Sequence, residues 1–374
     1  MTTHAAPDFP LFDPLIAAGL AQNGIARPNA VQTEVWPSLV AGSDVLLVAQ
    51  TGSGKTAAYV APVLQRLVGS QGARASTAPR VLVLAPTREL VSQIAGVFRQ
   101  VGRRLAFRTR LLCGGLPRDA QIAALDEGVD IAVATPGRLL DLLAAGSCRL
   151  DMIEVLVVDE VDQMLNDEFR TAIAEILLQI PRERQSILCS ATLPEEARAL
   201  AKRLLHKPVL HEFALQTVTP RRIKQRALFV EAEDKAQTLT ETCGKTEGRQ
   251  IVFLRTKAAV EQTGKLLRKA GFAVATLHGD LNQTARQKAV EALRSGKAQI
   301  LLTTDVAARG LDIDDIDLVV NYDLPEKAET YVHRIGRTAR AGKRGEALSF
   351  CTRDDRLLLR AIEKEIGYRI SIVS

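Results

Sequence analysis

Aromatic side chains make up only 4% of the 374 residues. That is too few for a sheet or barrel surface on which successive nucleobases stack. Cysteine is also sparse: Cys113, Cys148, Cys189, Cys243 and Cys351 are odd in number, widely spaced and without a C-x-x-C pair, and the five histidines are scattered. This excludes a disulfide scaffold and a structural zinc site, and suits a reducing, cytoplasmic compartment. No apolar run reaches the roughly 18 residues of a membrane span. The opening MTTHAAPDFPLF lacks the basic-then-apolar order of a secretion signal. Low-complexity tracts and short repeats are missing as well.

Hydrophobic residues (47%) and charged residues (25%) are present in ordinary globular proportion. The net charge is +6, and its placement is uneven. Residues 1–207 hold 21 Lys+Arg against 21 Asp+Glu, whereas residues 208–374 hold 28 against 22. A basic second half suits a polyanionic partner such as nucleic acid, although a chance excess on a soluble surface explains charge alone equally well.

The length exceeds what one hydrophobic core usually holds, so two domains are expected. Short β-rich apolar runs alternate with amphipathic stretches throughout. VLLVA (45–49), VLVLAP (81–86), IAVATP (131–136), VLVVDE (155–160) and SILCSA (186–191) read as strands buried on both faces. LVSQIAGVFRQVG and RTAIAEILLQIP between them have helical spacing. The alternation restarts with QIVFLR (250–255), AVATLHG (273–279), QILLTTD (299–305) and LVVNYD (318–323). It predicts an α/β fold: two tandem domains, each a mostly parallel sheet with helices on both faces. The expected bounds are 1–207 and 222–374, with the weakly patterned 208–221 as linker. Only the helix-like DRLLLRAIEKEIG is expected to follow the second domain.

The chemistry concentrates at strand ends. Ala49-Gln50-Thr51-Gly52-Ser53-Gly54-Lys55-Thr56 follows a strand and precedes a helical stretch. Gly52 and Gly54 let the backbone curl so that its N–H groups point at phosphate oxygens. Lys55 supplies a point charge at the β- and γ-phosphates, and Thr56 a hydroxyl for Mg²⁺. The strict P-loop pattern begins with Gly, and here that position is Ala49. In P-loop enzymes an acid at the end of a nearby strand holds Mg²⁺. Asp159 fits that place, with Glu160 next to it to orient and deprotonate a water.

With these motifs in order, the sequence resembles a DEAD-box RNA helicase of superfamily 2 over nearly its full length, with DEVD (159–162) in place of DEAD. The resemblance implies two RecA-like domains, ATP and Mg²⁺ as cofactors, and RNA as partner. GIARPNAVQ (24–32) resembles the Q motif, which makes Gln32 the adenine reader; a Gln amide can pair with the N6/N7 edge of adenine. An upstream aromatic normally stacks near the base, and either Phe9 or Phe12 fills that role. APTREL, GG and TPGR match RNA-backbone motifs, implicating Pro86, Thr87, Arg88, Gly115, Thr135, Gly137 and Arg138. Ser190-Ala191-Thr192 matches the motif that links hydrolysis to strand separation, with Asp162 in the same coupling role.

The second half continues the series. LHGDLNQTARQ carries Gln283 and Arg286, and TTDVAARGLDI resembles motif V, with Thr304 and Asp305 near RNA and Asp312 near the ATP ribose. YVHRIGRTARAG resembles motif VI, in which Arg337 and Arg340 act on the γ-phosphate as arginine fingers, typically worth ~10³–10⁵ in rate, and His333 serves coupling. The implied RNA contacts are to phosphate and sugar, so low sequence specificity is expected, with protein partners or mass action choosing the target. Asn29 and Ala30 replace the usual Thr and Pro, Val161 replaces Ala, and Ala339 stands where Gly is usual. None of these removes a charged group. Singly, each motif has a bland reading: Arg88 and Arg138 as solvated surface residues, GG as a turn, SAT as a helix cap. An ATP-gated RNA clamp and a DNA translocase are the rival functions.

Overall fold

A computed structural model describes residues 9, 11–50, 52–70, 78–213, 223–308, 316–338 and 345–373, the side chains of Gln283 and Glu329 excepted. The chain divides into two compact units, Met1–Leu215 and Gln216–Ser374.

The first unit holds β1 (Val45–Val48), β2 (Val81–Leu84), β3 (Thr109–Leu112), β4 (Ile131–Ala134), β5 (Val155–Val158), β6 (Gln185–Ser190) and β7 (Val209–Glu212). They form one sheet in the order β3-β4-β2-β5-β6-β1-β7, and every pairing is parallel. Successive side chains of a strand point to opposite faces, and here both faces are apolar. Val45, Leu47, Val81, Val83, Val155 and Val157 pack into one core with Ile16, Trp36 and Phe98. Leu46, Val48, Leu82, Leu84, Leu156 and Val158 pack into another with Leu139, Ile173 and Leu204. Such double burial is why these strands read as unbroken apolar runs.

The second unit repeats the plan with β8 (Ile223–Phe229), β9 (Gln250–Phe253), β10 (Val274–Leu277), β11 (Ile300–Thr303), β12 (Leu318–Asn321), β13 (Gly345–Cys351) and β14 (Ser371–Val373). Their order is β10-β11-β9-β12-β13-β8-β14, again parallel. Every strand expected from the sequence is present.

Five strands were not expected, and two of them correct the domain reading. Residues 209–212, expected to be linker, form β7 on the edge of the first sheet, where only His211 is buried. Asp44 ties this edge down, its carboxylate accepting the Ser186 and His206 N–H groups at 2.7 Å each. The remainder of the expected linker lies outside the described residues, apart from Pro208 and Phe213. After the helix Arg356–Ile366, β14 pairs with β8, so a strand follows the expected last helix. Among the described residues no helix is long and apolar enough to cross a membrane.

Candidate active site

In both sheets the loops that carry the motifs leave the C-terminal ends of the strands, the edge at which open α/β sheets bind ligands. After β1, Gly52 and Gly54 adopt left-handed φ values of 81° and 87°. Gly54 caps the helix Lys55–Gly69. A Cβ on Gly54 would lie 2.6 Å from Asn29 Nδ2, so glycine is required there by conformation and by close approach. Ala49 instead continues the strand ladder, its N–H donating to Ser190 O at 3.0 Å. The first pattern glycine is therefore dispensable here. Lys55 is buried and donates from Nζ to Ala49 O, folding its ammonium back over the loop.

The Q-motif segment packs on this loop. Asn29 caps the helix Ala30–Val40 in a reciprocal capping box with Gln32, and its Nδ2 donates to Ser53 O at 2.9 Å. Asn thus replaces the usual Thr without loss of the cap. Gln32 is 3% exposed. Its Oε1 accepts the Asn29 N–H at 3.0 Å, and its Nε2 lies 3.5 Å from Gly54 O. Both ends of the amide are directed at protein, so a two-point contact to adenine requires Gln32 to give up the capping box. Phe9 and Phe12, one of which is expected to stack near the base, are both buried edge-on to Trp36, with centroids 5.8 and 4.8 Å away.

At the end of β5, Asp159 is 3% exposed. Its Oδ1 accepts the Glu160 N–H and its Oδ2 the Tyr59 hydroxyl, each at 2.9 Å. Burial raises its carboxyl above the usual carboxylate range, against the opposing pull of Lys55 and the two hydrogen bonds. Glu160 has φ 54° and ψ 49°, a left-handed conformation that among the described non-glycine residues only Lys207 shares in sign of φ. Strain of this kind clusters at functional sites. Val161 is 1% exposed and belongs to the core cluster that contains Leu156, Val158 and Met164, so the extra methyl groups face the interior. Asp162 Oδ2 accepts both the Thr192 N–H and the Thr192 hydroxyl at 3.0 Å, and Ser190 Oγ donates to Thr192 O at 2.5 Å. The acidic turn and the Ser190–Thr192 segment are thereby physically joined.

Farther along the same edge lies a basic cluster. Arg88 opens the helix Arg88–Val101 behind its cap Thr87, whose Oγ1 accepts the Leu90 N–H at 3.3 Å. The Arg88 guanidinium lies over Gly115, which has φ 76°; a Cβ there would sit 1.7 Å from Nη1. Arg138, on the helix Pro136–Ala144 that follows Thr135, donates to Leu116 O at 3.2 Å. Gln121 fastens the loop from behind, accepting the Cys113 N–H and donating to Cys113 O, both at 3.1 Å. No sequence pattern points to Gln121, because its partners are backbone atoms. Two guanidinium groups and two helix N-termini beside Pro86 and Gly137 make a surface suited to an anionic backbone.

In the second unit the motifs meet through Arg334. Its guanidinium forms a two-point pair with Asp305 at 2.6 and 2.7 Å, and Nη1 donates to Asn321 Oδ1 at 2.9 Å and to Asp323 O at 2.7 Å. Asp305, expected near RNA, is thus engaged inside the unit. Arg286 is likewise buried, donating to Ala307 O at 3.1 Å. Thr304 O accepts the Ala308 N–H at 3.0 Å and so starts the short helix Asp305–Ala308. His333 and Arg337 are partly exposed along the Ala328–Ile335 segment and just after it. Thr51, Asp312 and Arg340, and the side chain of Gln283, lie outside the described residues.

A phosphate-binding loop after β1, an acidic pair after β5 and a second α/β unit of the same plan define a P-loop nucleotide-binding protein of tandem RecA-like domains. The first unit matches the DEAD/DEAH box helicase family over residues 29–200, and the second the helicase conserved C-terminal domain over residues 234–342. A DEAD box protein of the hyperthermophile Methanococcus jannaschii is 31% identical, with 97% of each chain covered and a TM-score of 0.56. S. cerevisiae Dbp5 bound to RNA and ADP BeF3 is 31% identical over 99% of this chain and 96% of that one, with a TM-score of 0.86. The ATP-dependent RNA helicase DeaD of Buchnera aphidicola subsp. Baizongia pistaciae is 39% identical over 389 residues, covering 100% of this chain and 62% of that protein. The chain belongs to the DEAD-box helicase family. It spans about three-fifths of the length of the curated relatives it matches.

Proposed function

We propose that this chain is an RNA-stimulated ATPase that separates short RNA duplexes locally, acting in the cytoplasm and contacting RNA through its backbone. The observation that carries this reading is the shared edge of the first sheet. The Lys55 loop and Asp159–Glu160 sit at the ends of β1 and β5, the Arg88–Arg138 cluster at the ends of β2, β3 and β4, and the Asp162–Thr192 link adjoins the acidic pair. Dbp5, a structural relative, carries both RNA and a nucleotide analogue. The five cysteines are free and buried, in keeping with a reducing compartment.

In this mechanism Lys55 and the N–H groups of the Gly52–Gly54 turn bind the β- and γ-phosphates. Glu160 takes the proton of the attacking water. The residues present fit a magnesium ion. Thr56 and Asp159 offer hard oxygen donors, and a buried carboxylate held above its usual range gains from a nearby cation. When bound, Mg²⁺ neutralises charge on the β- and γ-oxygens. Asp162 senses the acidic turn and passes its position to Thr192 and Ser190. Arg88, Arg138 and the amides of Gly115 and Gly137 grip phosphates, which carry no sequence information.

A fluorescent strand-displacement assay on a short RNA duplex tests the reading. Strand release is expected to require ATP. Stable binding with a non-hydrolysable analogue and no release with ATP would mean a clamp instead, and directional displacement on DNA would mean a translocase.

The DEVD variant itself yields a prediction. Val161→Ala removes two buried methyl groups from the core, so denaturant melts should show a loss of about 2 kcal/mol. ATP turnover of the same variant should stay within a factor of a few of wild type, since neither Asp159 nor Glu160 depends on that side chain for a hydrogen bond.

A further inference from the structure

The Asp159 side chain assigned above to Mg²⁺ is joined to one residue that no motif names. Tyr59 lies in the helix Lys55–Gly69, one turn beyond Thr56, and is 0% exposed. Residues three apart on a helix share a face, so Tyr59 lies on the same side of the helix as Thr56. The Tyr59 hydroxyl donates to Asp159 Oδ2 at 2.9 Å. A phenol has one hydrogen to give, and here it goes to the carboxylate. Asp159 Oδ1 accepts the Glu160 N–H at 2.9 Å. The carboxylate is therefore held at both oxygens, and its plane is set.

The hydroxyl is not needed for packing. Tyr59 belongs to an apolar cluster with Val60, Val83 and Cys189, where a phenylalanine ring fills the same space without a polar atom to satisfy. What the oxygen adds is a fixed orientation for the acid at the end of β5.

We infer that Tyr59 is a positioning residue that holds the Asp159 carboxylate in the orientation that receives the divalent cation. The inference rests on the ATP–Mg²⁺ reading above. Removing the hydroxyl leaves the carboxylate with the Glu160 N–H alone and frees it to rotate. Partners of metal ligands typically matter by roughly 10–100-fold in metal affinity.

The test is binding of a fluorescent ADP to the whole chain, titrated with MgCl₂, for wild type and Tyr59→Phe. The Mg²⁺ midpoint is expected to rise about tenfold, while ADP affinity in EDTA and kcat at saturating Mg²⁺ change by less than a factor of a few. An unchanged or lower midpoint, or equal loss of ADP affinity with and without Mg²⁺, overturns the inference. Wild-type binding indifferent to Mg²⁺ would overturn the metal reading itself and this inference with it. Wild type also permits a test without substitution. The chain has four tyrosines, and with ring-labelled tyrosine the buried Tyr59 carbon resonance should move when Mg²⁺ joins the ADP complex. A resonance that stays still counts against the role.

Discussion

Replacing Glu160 with Gln is expected to lower ATP turnover at least 100-fold while nucleotide binding persists. A general base typically contributes about 10²–10⁴, and a carboxamide cannot take the proton of water. The substitution is a clean one. Gln keeps the size of the side chain, and the Glu160 group that holds Asp159 Oδ1 is the backbone N–H. The left-handed backbone at this position is set by the turn between β5 and the short helix Val161–Gln163. Phosphate release reads the rate and fluorescent ADP reads the binding. Lys55→Ala provides the contrast, because losing the ammonium weakens binding as well. Turnover of Glu160→Gln equal to wild type would remove Glu160 from the base role.

Arg334→Ala is expected to be the most destabilising single change in the second unit. Arg334 and Asp305 side chains are 2% and 28% exposed. The guanidinium also satisfies Asn321 Oδ1 and Asp323 O and lies 5.0 Å from the centre of the Phe253 ring. Breaking a buried pair by removing one partner leaves the other charge uncompensated, at a cost of about 3–5 kcal/mol. For a unit of this size the melting temperature should fall by about 10 °C. The first unit has its own cores and should melt unchanged. Calorimetry separates the two transitions. A second-unit transition that does not move would show that the pair is as well replaced by water.

What the sequence made legible follows from what each element needs. The doubly buried strands, such as β2 and β5, announce themselves because both faces must be apolar. The strands it concealed have another reason to exist. β8 alternates buried and less buried residues in IKQRALF, and β7 buries one residue of four, so neither forms an apolar run. The nucleotide loop was legible because its glycines answer to backbone geometry, which is local. Side-chain partnerships were not, because they join residues far apart: Tyr59 with Asp159, Gln225 with Tyr331, Asp305 with Arg334. Phe9 and Phe12 are a further case: their edge-on packing against Trp36 is a tertiary contact that no local pattern announces. The Asp305 partner, Arg334, likewise lies 29 positions away in another motif.

The central claim is that RNA held by the Arg88–Arg138 edge governs chemistry at Asp159–Glu160. Steady-state ATP turnover of the intact chain, measured as single-stranded RNA is raised to saturation, tests it most directly. A saturable rise with RNA, of similar size for unrelated sequences, is the expected result. Turnover that is the same with and without saturating RNA would contradict it.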